Sequence, residues 1–145
     1  MTEDSLKRLV LDANILVRAI FGVRVGILLE KYAGEVEFYT PDHCVSEARE
    51  NIPGIARIRG IAPTEAESLL DRLVQNFLQV TDRSLYDAFE QQARERISDR
   101  DVDDWPVVAT ALLLRAPIWT EDKDYLGCGV ATWTTGKVEI YLRSN

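Results

Sequence analysis

Acidic side chains recur in this sequence where the chain leaves an apolar run. Asp12 ends the run Leu9-Val10-Leu11. Asp101, Asp103 and Asp104 stand just ahead of the long apolar stretch from Trp105 to Leu114. Asp122 and Asp124 follow Pro117-Ile118-Trp119-Thr120, and Glu47 sits in the partly apolar Val45-Ser46-Glu47-Ala48. Carboxylates gathered at one place repel one another, and burying them uncompensated is costly. A divalent cation removes that conflict, and oxygen-only ligands select a hard ion, Mg²⁺ or Mn²⁺, over zinc. The chain has one histidine, His43, and two cysteines, Cys44 and Cys128, with no CxxC pair. A zinc site and a Ser-His-Asp triad are therefore disfavoured. A general base must be a carboxylate or a metal-activated water.

The elements that would position these acids can be read from apolar pattern and turn residues. Leu9-Val10-Leu11 is aliphatic without alternation, as in a strand buried on both faces at the centre of a parallel sheet. That strand, about 8–12, places Asp12 at a carboxyl end, where open α/β sheets bind ligands. A helix is expected over 15–33, interrupted by Gly22 and Gly26, then a strand over 36–40. A helix over 42–52 should stop at Pro53-Gly54, and 54–62 reads as a loop or a helical extension. Thr64 and Glu67 open a helix running to about Asn76. Further expectations are a strand at 77–80, a helix over 84–97 and an acidic loop over 98–104. The helix after that loop is apolar nearly all round and so buried, with Pro106 in its first turn. Strands at 117–120 and 130–133 follow, and 137–143 reads as a β-like edge or tail. Alternation of this kind implies an α/β fold, a three-layer α/β/α sandwich with a central, mostly parallel sheet.

At 145 residues the chain is expected to form a single domain, 1–145. A hydrophobic content of 46% argues against disorder. No apolar run approaches a membrane span, and the N-terminal residues lack the order of a signal peptide. Two lone thiols fit a reducing, cytoplasmic setting. The net charge of −7 argues against a protein that grips nucleic acid mainly through its phosphates, but not against one that holds phosphates through metal ions.

The blocks "LVLDANILVRA", "VSEARENI", "DRDVDDWPVVATAL" and "IWTEDKDYLG" resemble, in order and spacing, the PIN domain family. This is the ribonuclease fold shared by toxins of many bacterial toxin–antitoxin pairs. The resemblance runs from residue 9 to about 135. It implies a catalytic quartet of Asp12, Glu47, Asp104 and Asp122, with Asp124 as an accessory ligand. Asp101 or Asp103 remains an alternative to Asp104. Asn14 takes the polar position two residues after the first acid, and Thr120 orients ligands at the fourth. The activity implied is Mg²⁺- or Mn²⁺-dependent cleavage of RNA, with Asp12, Glu47 and Asp104 on one ion and Asp122 completing it or holding a second. Arg57, Arg59 and Lys123 are candidate contacts to flanking phosphates, although the chain has no obvious basic strip. Apolar residues near 15–33 and 54–61 offer a surface to an antitoxin or to a second copy in a homodimer.

Each residue also has a plainer reading. Asp12 and Asp104 are natural helix caps. Glu47 alone is an ordinary solvated helix residue, and Asp122-Lys123-Asp124 an ordinary polar turn. Trp105, Trp119 and Trp133 fit core or shielding positions. Two other functions compete: a non-catalytic PIN-like module binding RNA or protein, and another Mg²⁺-dependent phosphoryl-transfer enzyme such as a phosphatase. A phosphatase with an aspartyl nucleophile commonly has a second acid two residues on, where this chain has Asn14.

Overall fold

The computed structural model describes residues 6–97 and 102–144. Its central strand is β1 (Lys7–Leu11), whose Leu9, Val10 and Leu11 have no exposed surface. Burial on both faces is why three aliphatic residues follow one another there. β1 pairs with β2 (Val36–Pro41) on one side and β4 (Ile118–Trp119) on the other. β3 (Leu78–Thr81) lies outside β2, and β5 (Thr132–Trp133) outside β4. The order is β3-β2-β1-β4-β5 and every pairing is parallel. From β1 the chain steps outward to β2 and β3, then returns across the sheet to β4. The reversal opens a crevice beyond the carboxyl ends of β1 and β4, where ligands bind in sheets of this kind.

Helices cover the sheet. α1 (Ala13–Phe21) and α2 (Arg24–Tyr32) connect β1 to β2, and α3 (Asp42–Ile58) and α4 (Pro63–Phe77) connect β2 to β3. α5 (Arg83–Tyr86), α6 (Glu90–Arg96) and α7 (Trp105–Leu114) lead to β4, and α8 (Val138–Arg143) follows β5. α7 packs on β1 and β2, while α3 packs along α1 and α4. Every residue of α7 from Trp105 to Ala111 is buried, with Pro106 in the first turn, as its uniform apolarity requires. No helix among the described residues is long and apolar enough to cross a membrane.

Several element readings are corrected. The stretch 15–33 is two helices separated by Gly22 and Val23; Gly26 lies inside α2. A Cβ on Gly22 would stand 2.9 Å from the Arg18 carbonyl oxygen, so glycine permits this tight exit from α1. α3 runs through Pro53 to Ile58. Proline inside a helix costs roughly 3 kcal/mol; burial of Ile52 and Ala56, on the two turns that flank it, offsets this. The expected 84–97 helix is broken by a 3₁₀ turn, Asp87–Phe89. Residues 137–143 are helical rather than β-like: Val138 and Leu142 are buried, but Ile140 between them is 49% exposed, a period of four and not of two.

Candidate metal centre

Asp12 occupies the first position beyond β1, and its backbone N–H continues the sheet to the Trp119 carbonyl at 3.1 Å. The residue is only 6% exposed. One carboxylate oxygen, Oδ1, caps α1 by accepting from the Ala13 N–H at 2.8 Å and also accepts from the Tyr125 hydroxyl at 3.3 Å. Oδ2 accepts from Asn14 Nδ2 at 2.8 Å and from the Thr120 hydroxyl at 2.8 Å. A carboxylate offers about four lone-pair sites, and these donors fill them. Burial still holds the Asp12 pKa above the ordinary carboxylate value, reinforced by the charge of Asp122; the hydrogen bonds from Thr120, Ala13 and Tyr125 oppose the shift. The cap reading of Asp12 is thus met by its Oδ1.

Thr120 joins the two strand ends. Its hydroxyl donates to Asp12 and accepts from the Asp122 backbone N–H at 2.9 Å and from Asn14 Nδ2 at 3.3 Å. Asn14 Oδ1 in turn accepts from the Glu121 N–H at 3.3 Å. Beyond Thr120, Asp122 Oδ1 accepts from the Asp124 N–H at 2.9 Å and caps the 3₁₀ turn Lys123–Tyr125. That turn aims Asp122 and Asp124 back at the start of α7. Asp104, Asp122 and Asp124 each place a carboxylate oxygen within 4.8 Å of the other two. Asp104 stands at the N-cap position of α7 without a side-chain capping bond.

Asp12 and Glu47 fall outside this close group of three. Asp12 is tied to it through Tyr125, a buried phenol whose pKa is raised by burial first, then by the charges of Asp12 and Asp104. Tyr125 therefore stays a hydroxyl donor between the two acids. Glu47 is exposed on α3, 3.6 Å from His43 Nε2. It and Asp12 both act on the buried Cys44 thiol, whose pKa is pushed well up by burial, then by those two charges. Asp103 is exposed and lines a separate 350 Å³ cavity with His43, Ser46 and Arg83. Asp101 lies outside the described residues. Lys123 is exposed in the acidic turn, and Arg57 and Arg59 are exposed at the end of α3. Sequence reasoning passed over Tyr125; its place directly after Asp122-Lys123-Asp124 was the available signal.

The donor set of the close group is oxygen alone, three carboxylates with no nitrogen or sulfur ligand, and it suits Mg²⁺ or Mn²⁺.

A family model described as PIN domain matches residues 10–143. No curated protein matches the chain significantly by sequence. Among solved structures, the chain is similar to one in the crystal structure of VapBC2 from Rickettsia felis bound to a DNA fragment from their promoter. That match has 15% identity and a TM-score of 0.70, covering 88% of this chain and 98% of the other. A chain of FitAcB from Neisseria gonorrhoeae matches with 17% identity and a TM-score of 0.60, covering 88% and 98%. PAE2754 from Pyrobaculum aerophilum matches with 17% identity and a TM-score of 0.68, covering 97% and 91%. At these identities the likeness is one of fold.

Proposed function

The chain belongs to the PIN domain family, and from that premise we propose that it is a Mg²⁺- or Mn²⁺-dependent ribonuclease. The observation that carries this reading is the meeting of Asp104, Asp122 and Asp124 within 4.8 Å, beside the carboxyl ends of β1 and β4. These three residues would hold the ion. A divalent cation bound there supplies Lewis-acid stabilisation of charge on a phosphate and a more acidic water. Asp12, held by its full set of donors, fixes Thr120 and Asn14 and through them the turn that presents Asp122. Tyr125 keeps its proton and donates a hydrogen bond to Asp12. Glu47 adds a further negative charge from α3. Asn14, bonded to Asp12, Thr120 and the Glu121 amide, is committed to positioning, which weakens the phosphatase reading.

PIN domains include the toxins of toxin–antitoxin pairs, and the fold-level likeness to chains of VapBC2 and FitAcB supports placing this protein in such a pair. Growth arrest on expression, relieved by the product of an adjacent gene, is the result that role requires.

The catalytic reading is tested by incubating the pure protein with end-labelled RNA in Mn²⁺ or EDTA, beside Asp122→Asn. Asparagine keeps the cap but removes the charge. Cleavage should need Mn²⁺ and fall at least about a hundredfold in the variant. Mn²⁺ at about 100 times its Kd should stabilise the native protein by about 2.7 kcal/mol, or roughly 5–10 °C in Tm for a chain of this size; Asp122→Asn should lose most of that shift. Cleavage undiminished in EDTA, or a variant with full activity and full Mn²⁺ stabilisation, defeats the proposal.

A further inference from the structure

A 440 Å³ cavity is lined by Arg18, Phe21, Arg24, Arg59 and Thr135, among others. Two elements link it to the residues around Asp12 and Asp122. On α1, Asn14, Arg18 and Phe21 share one face, and Arg18 is about 6 Å along the axis from Asn14, which bonds Asp12 and Thr120. On the other side, the Thr135 N–H donates at 2.7 Å to the carboxylate of Glu121, whose own N–H donates to Asn14.

The cavity collects positive charge in a chain of net charge −7. Its arginines come from three places: Arg18 from α1, Arg24 from the start of α2, and Arg59 from the C-cap of α3. Among the described residues, Arg18 and Arg59 enter no ion pair. Arg24 lies 3.0 Å from Glu139, a carboxylate that also pairs with Lys31 at 2.7 Å. The guanidinium of Arg59 sits over the Phe21 ring, 5.5 Å from its centroid. Val23, Arg24 and Val25, the beginning of α2, also line the cavity, and that helix has neither a side-chain cap nor an acid in its first turn. An uncapped helix N-terminus carries partial positive charge and free N–H donors.

We propose that this cavity, rather than a basic strip elsewhere, binds the phosphodiester backbone of the RNA substrate beside its cleavage point. Arg18, Arg24 and the first turn of α2 hold phosphate oxygens, and the Arg59 plane offers a base a stacking surface. RNA is favoured over an acidic protein segment because Thr135 of the cavity is bonded to Glu121, the residue before Asp122, and Arg18 shares a face of α1 with Asn14, which bonds Asp12. The inference rests on the ribonuclease reading for its substrate, but its test does not require cleavage.

The test is anisotropy of a short fluorescein-labelled oligouridine, titrated in EDTA across a series of salt concentrations. The proteins are the native chain, Arg18→Gln with Arg59→Gln, and Arg18→Lys with Arg59→Lys. The glutamine pair should bind about tenfold more weakly, and its log–log salt slope should be shallower by about 0.7 for each lost phosphate contact. The lysine pair should regain the slope. A folded glutamine pair with native affinity and slope overturns the proposal. So does polyglutamate displacing the RNA as effectively as unlabelled oligouridine of equal charge, which would give the cavity to an acidic protein segment. Arginine-dependent binding without Mn²⁺-dependent cleavage would remove the ribonuclease reading and leave this site standing. Mn²⁺-dependent cleavage with an unchanged KM in the glutamine pair would do the reverse.

Discussion

Replacing Thr120 with valine keeps the shape of the side chain and removes one hydroxyl at the junction of β1 and β4. Thr120 is 2% exposed, so no water takes the hydroxyl's place without rearrangement. Its bond to the buried Asp12 carboxylate, at 2.8 Å, is of the charged kind worth about 1.5–3 kcal/mol. Its acceptance of the Asp122 N–H at 2.9 Å adds about 1 kcal/mol. Together they predict a loss of roughly 3–4 kcal/mol, near 8–14 °C in Tm for a chain of this size. The loss also has a pH signature. Asp12 has a folded-state pKa above its unfolded value because it is buried. The stability linked to that shift is full below the unfolded pKa and is lost as pH rises through the folded one. Removing a donor to the carboxylate raises the folded pKa further. Urea melts of both proteins should therefore show a deficit that is small in the acidic range, where Asp12 is protonated, and widens toward neutral pH. A deficit below about 1 kcal/mol, or one that does not change with pH, would refute the role assigned to this hydroxyl.

Gly129 has φ of +88°, and a Cβ there would run into the Arg96 guanidinium, which donates to the Cys128 carbonyl at 3.0 Å. Gly129→Ala should cost about 1–2 kcal/mol from backbone strain alone and weaken Mn²⁺ binding through the preceding acidic turn; melts with and without Mn²⁺ read both, and a neutral alanine would contradict it. Glu139 has its pKa lowered to about 2 by the hydrogen bond from Lys31, then by Tyr32 and Arg24. Its contribution to stability should be intact above the ordinary carboxylate value and lost as pH falls toward about 2. An NMR titration of the Glu139 carboxylate giving an ordinary value would show that the cluster does not form in solution.

The parallel sheet, the buried α7 and the positions of Asp12, Asp104, Asp122 and Asp124 were legible because each rests on a local pattern. Aliphatic runs without alternation mark strands covered on both faces, and an acid after such a run must lie at the sheet's edge. The C-terminal helix was misread because Val-Glu-Ile-Tyr-Leu satisfies period two as well as period four in sequence. Only packing decides, leaving Ile140 exposed and Val138 and Leu142 covered. Local propensity reads Pro53 as a stop, whereas the burial of Ile52 and Ala56 carries α3 through it. The convergence of Arg18, Arg24 and Arg59 could not be read at all, since they come from three elements with no shared motif.

The hydrogen bond between Asp12 and Thr120 spans 108 positions of the chain, and that span sets an order of events during synthesis. The first acid leaves the ribosome long before the residues that hold it still. Until the segment from Asp104 to Tyr125 emerges and docks, the nascent chain has isolated carboxylates and no pocket for an ion. Closing so distant a contact comes late in folding. The group of three carboxylates therefore assembles only once the last third of the chain is in place.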